Sequence, residues 1–160
     1  MNKALGLANG HFLIFMGADD VFYDDKVLKK VGTQIRDKSC IYYGRVQKKN
    51  SGCVSRGKVK NALDLCRENI CHQSIFYPID IYKCHDYKLK YKIYADFVYN
   101  QELYSKYYKK FIYMDLIISI FNENGISGLH NDKAFEKDRC EIARKLFGFW
   151  LGGILWLGLR

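Results

Sequence analysis

The sequence predicts an α/β fold, and three observations carry that reading. An uncharged run of strand formers, His11 to Met16, ends abruptly in two adjacent carboxylates, Asp19 and Asp20. An amphipathic helical pattern follows from Asp24 to Lys38, and a second strand-like run, Cys40 to Val46, comes after it. The first run has the composition of a buried strand covered on both faces. In open α/β sheets ligands collect at the carboxyl ends of strands, so Asp19 and Asp20 stand where a hard divalent cation would meet a phosphate-bearing substrate. The same carboxylates would equally serve as caps for the helix beginning near Asp24. On these residues alone both roles stand.

Taken in order, Met1 to Gly10 reads as the end of a helix, with Ala4, Leu5, Leu7 and Ala8 apolar and Asn9-Gly10 as the stop. In the helix at 24–38, Val27, Leu28, Val31 and Ile35 recur at three- and four-residue spacing. Gly44 within the second strand marks a bulge or a close backbone approach. Gln47 to Lys60 contains KKNSG and RGK without periodicity and reads as a mobile basic loop, suited to form the lip of an acceptor site. Asn61 to Glu68 has room for one or two helical turns. Cys71 to Pro78 returns to strand composition, ended by Pro78, with a short turn or helix through Tyr82.

The later chain continues the alternation. YKLKYKI reads as extended, and Tyr94 to Tyr107 as a helix whose apolar face includes Phe97, Val98, Leu103 and Tyr107. Asp96 falls in the first turn of that helix, where a carboxylate either caps or faces a cleft and accepts a proton. His72 and Gln73 open the apolar 71–78 segment, either as satisfied polar residues at the sheet edge or as hydrogen-bonding groups for a sugar or diphosphate. Phe111 to Phe121 reads as strand, turn and strand, broken at Asp115, and Asn122 to Ser127 as a turn. Asp132 to Leu146 is an amphipathic helix with Phe135, Ile142, Ala143 and Leu146 inward. The remainder to Leu159 is apolar and carries Trp150 and Trp156 beside Arg144 and Lys145. It is shorter than the roughly 20 residues a membrane-spanning helix needs, and suits either the membrane interface or docking on the domain or a second subunit. Two parts follow: 1–130 as the main domain and 131–160 as an amphipathic helix with an apolar, membrane-associated tail.

Length and composition fit one domain with a sizeable core. Thirteen tyrosines and ten phenylalanines supply much of it. The net charge of +9 suits an anionic membrane surface or a phosphorylated substrate. It would suit nucleic acid as well, but the lysines are dispersed and no nucleic-acid-binding motif accompanies them, so no nucleic-acid partner is expected. Six cysteines at unrelated intervals, with no CxxC, read as free thiols in a reducing cytoplasm.

Four segments, in this order, resemble the family 2 type of nucleotide-sugar glycosyltransferase that builds bacterial cell-surface polysaccharide. They are NK at 2–3 followed by GLANGHFLIFMGADD, YYGRV at 42–46, CHQSIFY at 71–77 and YKIYADFVYNQEL at 91–103. The resemblance implies a GT-A fold, a mixed sheet flanked by helices. It implies that Asp20 coordinates Mg²⁺ or Mn²⁺ on the donor diphosphate, that Asp19 faces the ribose or donor sugar, and that Asp96 is the catalytic base of an inverting transfer. His72 and Gln73 resemble the segment lining the donor or acceptor sugar. Val98 stands where many relatives carry a second acid.

Family members begin with a strand and turn that cradle the nucleotide base, followed by a further acidic motif. Neither stands in this sequence, so the resemblance implies a partial, N-terminally truncated GT-A fold that binds donor weakly on its own and whose activity truncation can abolish. The expected function is transfer of a sugar from a nucleotide-diphosphate donor to a hydroxyl of a glycan or lipid-linked acceptor. The expected place is the cytoplasm, peripheral on the inner membrane, with self-association as an option. The competing reading is a noncatalytic interaction or scaffold domain derived from the same fold, which would be indifferent to Mn²⁺ and to loss of Asp20.

Overall fold

A computed structural model of the chain describes residues 1–4, 7–122 and 131–158. The strands are β1 (Phe12–Leu13), β2 (Val21–Phe22), β3 (Ile41–Lys48), β4 (Ile75–Pro78) and β5 (Phe111–Phe121). The helices are α1 (Val27–Gln34), α2 (Ala62–Arg67), α3 (Ile79–Lys83), α4 (Ala95–Tyr107), α5 (Lys133–Phe147) and α6 (Phe149–Gly158). Among the described residues they form an α/β structure on one five-stranded mixed sheet, in the order β1-β4-β3-β5-β2. Only the β3–β5 pair is parallel; the other three pairings are antiparallel.

The two-residue period of the strands sorts the core into two layers. Ile41 and Tyr43 of β3, with Ile75 and Tyr77 of β4, face the larger layer, which Leu65, Tyr82, Tyr99 and Leu103 complete from α2, α3 and α4. Tyr42 and Phe76, pointing the other way, meet Met114 and Ile118 of β5 and Val27 and Val31 of α1. At Gly44 the sheet requires glycine: a Cβ there would lie 2.6 Å from Leu116 O, and the β3–β5 register shifts on either side of Arg45. Of the two alternatives expected at Gly44, the close backbone approach is present, beside an irregularity in the register.

Several expectations need correction. The 11–16 run is not a buried central strand: only Phe12 and Leu13 pair, at the sheet edge, and both are half-buried. The chain leaves the ladder after Leu13 to enter the Gly17–Asp20 turn, and among the described residues β1 has a strand neighbour on one side only. Phe111–Phe121 is one continuous strand. Asp115 does not break it, because its side chain points outward and pairs with Arg45 across the β3–β5 ladder at 2.8 Å. Residues 87–93 form turns instead of an extended segment, and 71–78 opens with a 3₁₀ turn over His72–Ser74 before β4.

A 3₁₀ turn occupies Asn2–Ala4, Leu7 is exposed, and Leu5 lies outside the described residues, as does most of the expected 122–127 turn. The 47–60 segment carries a tight turn, with Gly52 N donating to Lys48 O and Gly52 at φ +69°, and an isolated bridge between Gln47 and Val54.

The C-terminal helices stack on this frame. Phe135 of α5 packs on Phe97 with ring centroids 5.0 Å apart, and Gly148, at φ +96°, reverses the chain into α6. Leu155 of α6 meets Cys66 of α2 and Ala143 of α5. Among the described residues no helix is long and apolar enough to cross a membrane.

Candidate functional site

Helix α4 starts at Ala95, which puts Asp96 in its first turn, and Phe97 N donates to Asp96 Oδ1 at 2.7 Å. The other carboxylate oxygen collects two side chains from the loop and turn that follow α2. Asn69 Nδ2 donates to Asp96 Oδ2 at 3.0 Å, and His72 Nδ1 lies 3.1 Å from the same oxygen. A carboxylate oxygen accepts, so His72 donates this bond from Nδ1–H, and in the neutral imidazole that puts the lone pair on Nε2. Oδ1 keeps an acceptor position beyond the Phe97 amide.

Behind Asn69 the network continues into the core. Asn100, fully buried one helical turn along α4, donates from Nδ2 to Asn69 Oδ1 at 2.9 Å and to Ile70 O at 3.0 Å. Tyr77 of β4 donates to Asn100 Oδ1 at 2.7 Å. Tyr77, Asn100 and Asn69 therefore fix Asp96 from the inside. Asn69 and Asn100 escape the sequence reading, whose signals were apolar periodicity and short motifs.

Asp96, His72 and Gln73 all line one cavity of about 330 Å³, closed by Arg67, Tyr94 and Phe121 among others. The Asp96 side chain is 14% exposed and that of His72 29%, so both are reachable from the cavity yet held. Cys71 also lines it. Burial, then the negative charges of Asp96 and Glu68, push its thiol up to about 12, so it stands as a neutral thiol at neutral pH. Two links outside the cavity hold its walls. Arg139 Nη2 donates to Cys66 O at 2.8 Å at the end of α2, and Asp132 accepts from Ile93 N at 2.9 Å and Tyr94 N at 3.3 Å while capping α5.

Asp19 and Asp20 form a second group at the far end of β5. Asp20 Oδ2 closes the Gly17–Asp20 turn by accepting from Gly17 N at 2.8 Å, and its Oδ1 accepts from Asn122 N at 3.3 Å. Asn122 Nδ2 donates to Asp19 Oδ2. Neither aspartate bonds α1; Asp24 stands before it, accepting from Lys26 N at 2.8 Å and pairing with Lys30 at 2.7 Å. Among the described residues no side chain caps α1, whose N-cap position is Lys26, so the capping expected of Asp19 and Asp20 is not seen. Asp19 lines a cavity of about 250 Å³ with Lys48, Lys49 and Gly52.

The two groups meet at Phe121. This residue lines the Asp96 cavity, and its successor Asn122 holds both Asp19 and Asp20. The charges of Asp96 and Asp20 both act on the Cys71 thiol. Among the described residues no cluster of three or more His, Cys, Asp or Glu side chains is arranged to hold a metal by itself. Asp19 and Asp20 are the adjacent carboxylates that could hold a cation, one whose remaining oxygens come from a substrate phosphate and water.

Over 141 residues, 86% of its length, the chain is 33% identical to proteins described as "PGL/p-HBAD biosynthesis glycosyltransferase" in Mycobacterium bovis and Mycobacterium tuberculosis. It spans about half of those relatives, 55% of their length. No family model matches the chain, and no solved structure matches it. The similarity supports glycosyl transfer as the chemistry to weigh against the site.

Proposed function

We propose that the chain carries the metal-binding and base-bearing part of a glycosyltransferase of the GT-A, family 2 type, which moves a sugar from a nucleotide diphosphate to a hydroxyl of a glycan or lipid-linked acceptor in cell-surface polysaccharide synthesis. The observation that carries this reading is the Asp96 carboxylate, held by Asn69 and His72 at the wall of a cavity that Phe121 also lines, next in sequence to the Asn122 that bonds Asp19 and Asp20.

In this reaction the acceptor hydroxyl must lose its proton as it attacks the anomeric carbon, and the diphosphate must leave with an added negative charge. Asp96 takes the proton on Oδ1, the oxygen with a spare acceptor position, while Asn69 and His72 hold Oδ2 in place. One base suffices for an inverting transfer. Asp20 would hold Mg²⁺ or Mn²⁺ and Asp19 would meet the ribose or donor sugar; a bound cation would supply the neutralisation that the leaving diphosphate needs. His72 Nε2 and Gln73 hydrogen-bond sugar hydroxyls within the cavity, and Lys48 and Lys49, beside Asp19, draw phosphate toward the carboxylates. This reading carries a cytoplasmic, peripheral membrane location with it.

The test is titration of the chain with UDP and GDP, with and without Mn²⁺. Metal-dependent binding that Asp20→Ala removes supports the reading; binding indifferent to Mn²⁺ and to Asp20 contradicts it and leaves the scaffold alternative.

A further inference from the structure

Helix α6 presents an apolar surface that no described residue covers. Its inner side is committed: Gly152 lies against Arg144 of α5, with room for no Cβ, and Leu155 is buried on Cys66 and Ala143. Its outer side is open. Trp150 is 86% exposed, Leu157 69% and Ile154 46%, and the three follow a spacing of four and three residues that sets them in one stripe, with Phe149, 75% exposed, at its start. The helix contains no charged residue.

Basic side chains stand near the start of this helix. Arg144 and Lys145 are exposed in the last turn of α5, immediately before the reversal at Gly148. From the same junction a line of rings runs from Phe147 to Tyr104 and on to the exposed Tyr108, over which Lys109 sits at 5.8 Å. Of the acids on α5, Glu141 is paired with Lys145 at 2.7 Å and Asp138 with Lys90.

We infer that this face of α6 seats the chain on an anionic lipid bilayer. An exposed tryptophan and phenylalanine on a short uncharged helix, flanked by basic side chains, are suited to the boundary between headgroups and acyl chains. A helix of ten residues is about 15 Å long and lies in that boundary instead of crossing it. A second copy is the poorer occupant. A two-fold contact through this stripe would bring the basic side chains of each copy against those of the other. The inference rests on the peripheral placement in the proposed function and adds to it the surface and the lipid charge. Helix α2 links the two: Cys66 packs on α6, and Arg67 and Glu68, immediately after, line the Asp96 cavity.

The test is cosedimentation of the full 160-residue chain with vesicles of phosphatidylcholine, with and without phosphatidylglycerol, alongside its oligomeric state by light scattering. Binding to the anionic vesicles is expected, weakened by added salt. It should fall about tenfold or more in Phe149→Ser/Trp150→Ser, two exposed positions whose replacement leaves the circular dichroism spectrum unchanged, and also in Arg144→Gln/Lys109→Gln. No binding to either vesicle, equal binding to both, or a dimer lost in the Phe149→Ser/Trp150→Ser variant without vesicle binding would each overturn the inference. Lipid binding is read without substrate, so its failure is distinct from failure of Mn²⁺-dependent nucleotide binding.

Discussion

Asn69 donates to Oδ2 of Asp96 at 3.0 Å across 27 residues of sequence, and so joins the loop after α2 to the first turn of α4. Both residues line the same cavity, and Asn69 is itself held from the core by Asn100. The candidate base is therefore positioned by a polar chain that starts at a buried tyrosine.

That chain should be costly to cut. Asn100→Leu leaves the Tyr77 hydroxyl and Ile70 O buried without their partner, and the loss is about 1–3 kcal/mol per orphaned group. Urea denaturation of the variant should show a lowered midpoint with an unchanged slope.

Asp96→Asn removes the proton acceptor while keeping the shape of the side chain. With the proposed chemistry, turnover in the enzyme carrying this site falls by about 10²–10⁴-fold, with donor affinity and thermal stability near those of the parent. A variant that transfers sugar at the parental rate contradicts the role given to Asp96.

Gly44→Ala tests the sheet instead of the site. The added Cβ would meet Leu116 O at 2.6 Å, a backbone atom that can move only by opening the β3–β5 ladder, so a loss of about 1–3 kcal/mol is expected in thermal or urea unfolding. Gly32→Ala is the control: nothing lies within 4 Å of a Cβ there, and the variant should be neutral or slightly more stable.

Asp132 supplies a pH dependence. Burial acts to raise its pKa, but hydrogen bonds from Ile93, Phe135, Tyr94 and Ala134 amides outweigh it and hold the carboxyl below the usual aspartate value. A depressed folded pKa means that the stabilisation is present above the unfolded pKa and is lost as the pH falls through the folded one. The parent should therefore lose stability in acid more steeply than Asp132→Asn, as read from unfolding midpoints across that range.

Thiol reactivity should follow burial. Cys53 and Cys84 are exposed, whereas the Cys71 thiol is pushed up to about 12 and Cys66 is buried and likewise raised to about 12. Alkylation followed by mass spectrometry should label Cys53 and Cys84 first, Cys71 more slowly, and Cys66 only on unfolding.

Much of this fold is legible in the sequence because local patterns and tertiary packing agree. The α4 helix, the capped α5 helix and the demand for glycine at position 44 all follow from spacing or from a single residue type. Phe111–Phe121 misled because a charged residue inside an apolar run looks like a break, and only the Arg45 side chain across the ladder shows why Asp115 is accommodated. His11–Met16 misled because composition does not distinguish a central strand from a half-buried edge. At the site, Asp96, His72 and Gln73 were recognisable one by one. Their convergence depends on the Asn69–Asn100–Tyr77 chain, which links three separate elements and leaves no periodic trace.

The most direct measurement is calorimetric titration of the chain with UDP and GDP in the presence and absence of Mn²⁺, on the parent, Asp20→Ala and Asp96→Asn. The account predicts binding of a nucleoside diphosphate that requires Mn²⁺, disappears in Asp20→Ala and persists in Asp96→Asn. Binding that needs neither the cation nor Asp20 would contradict it.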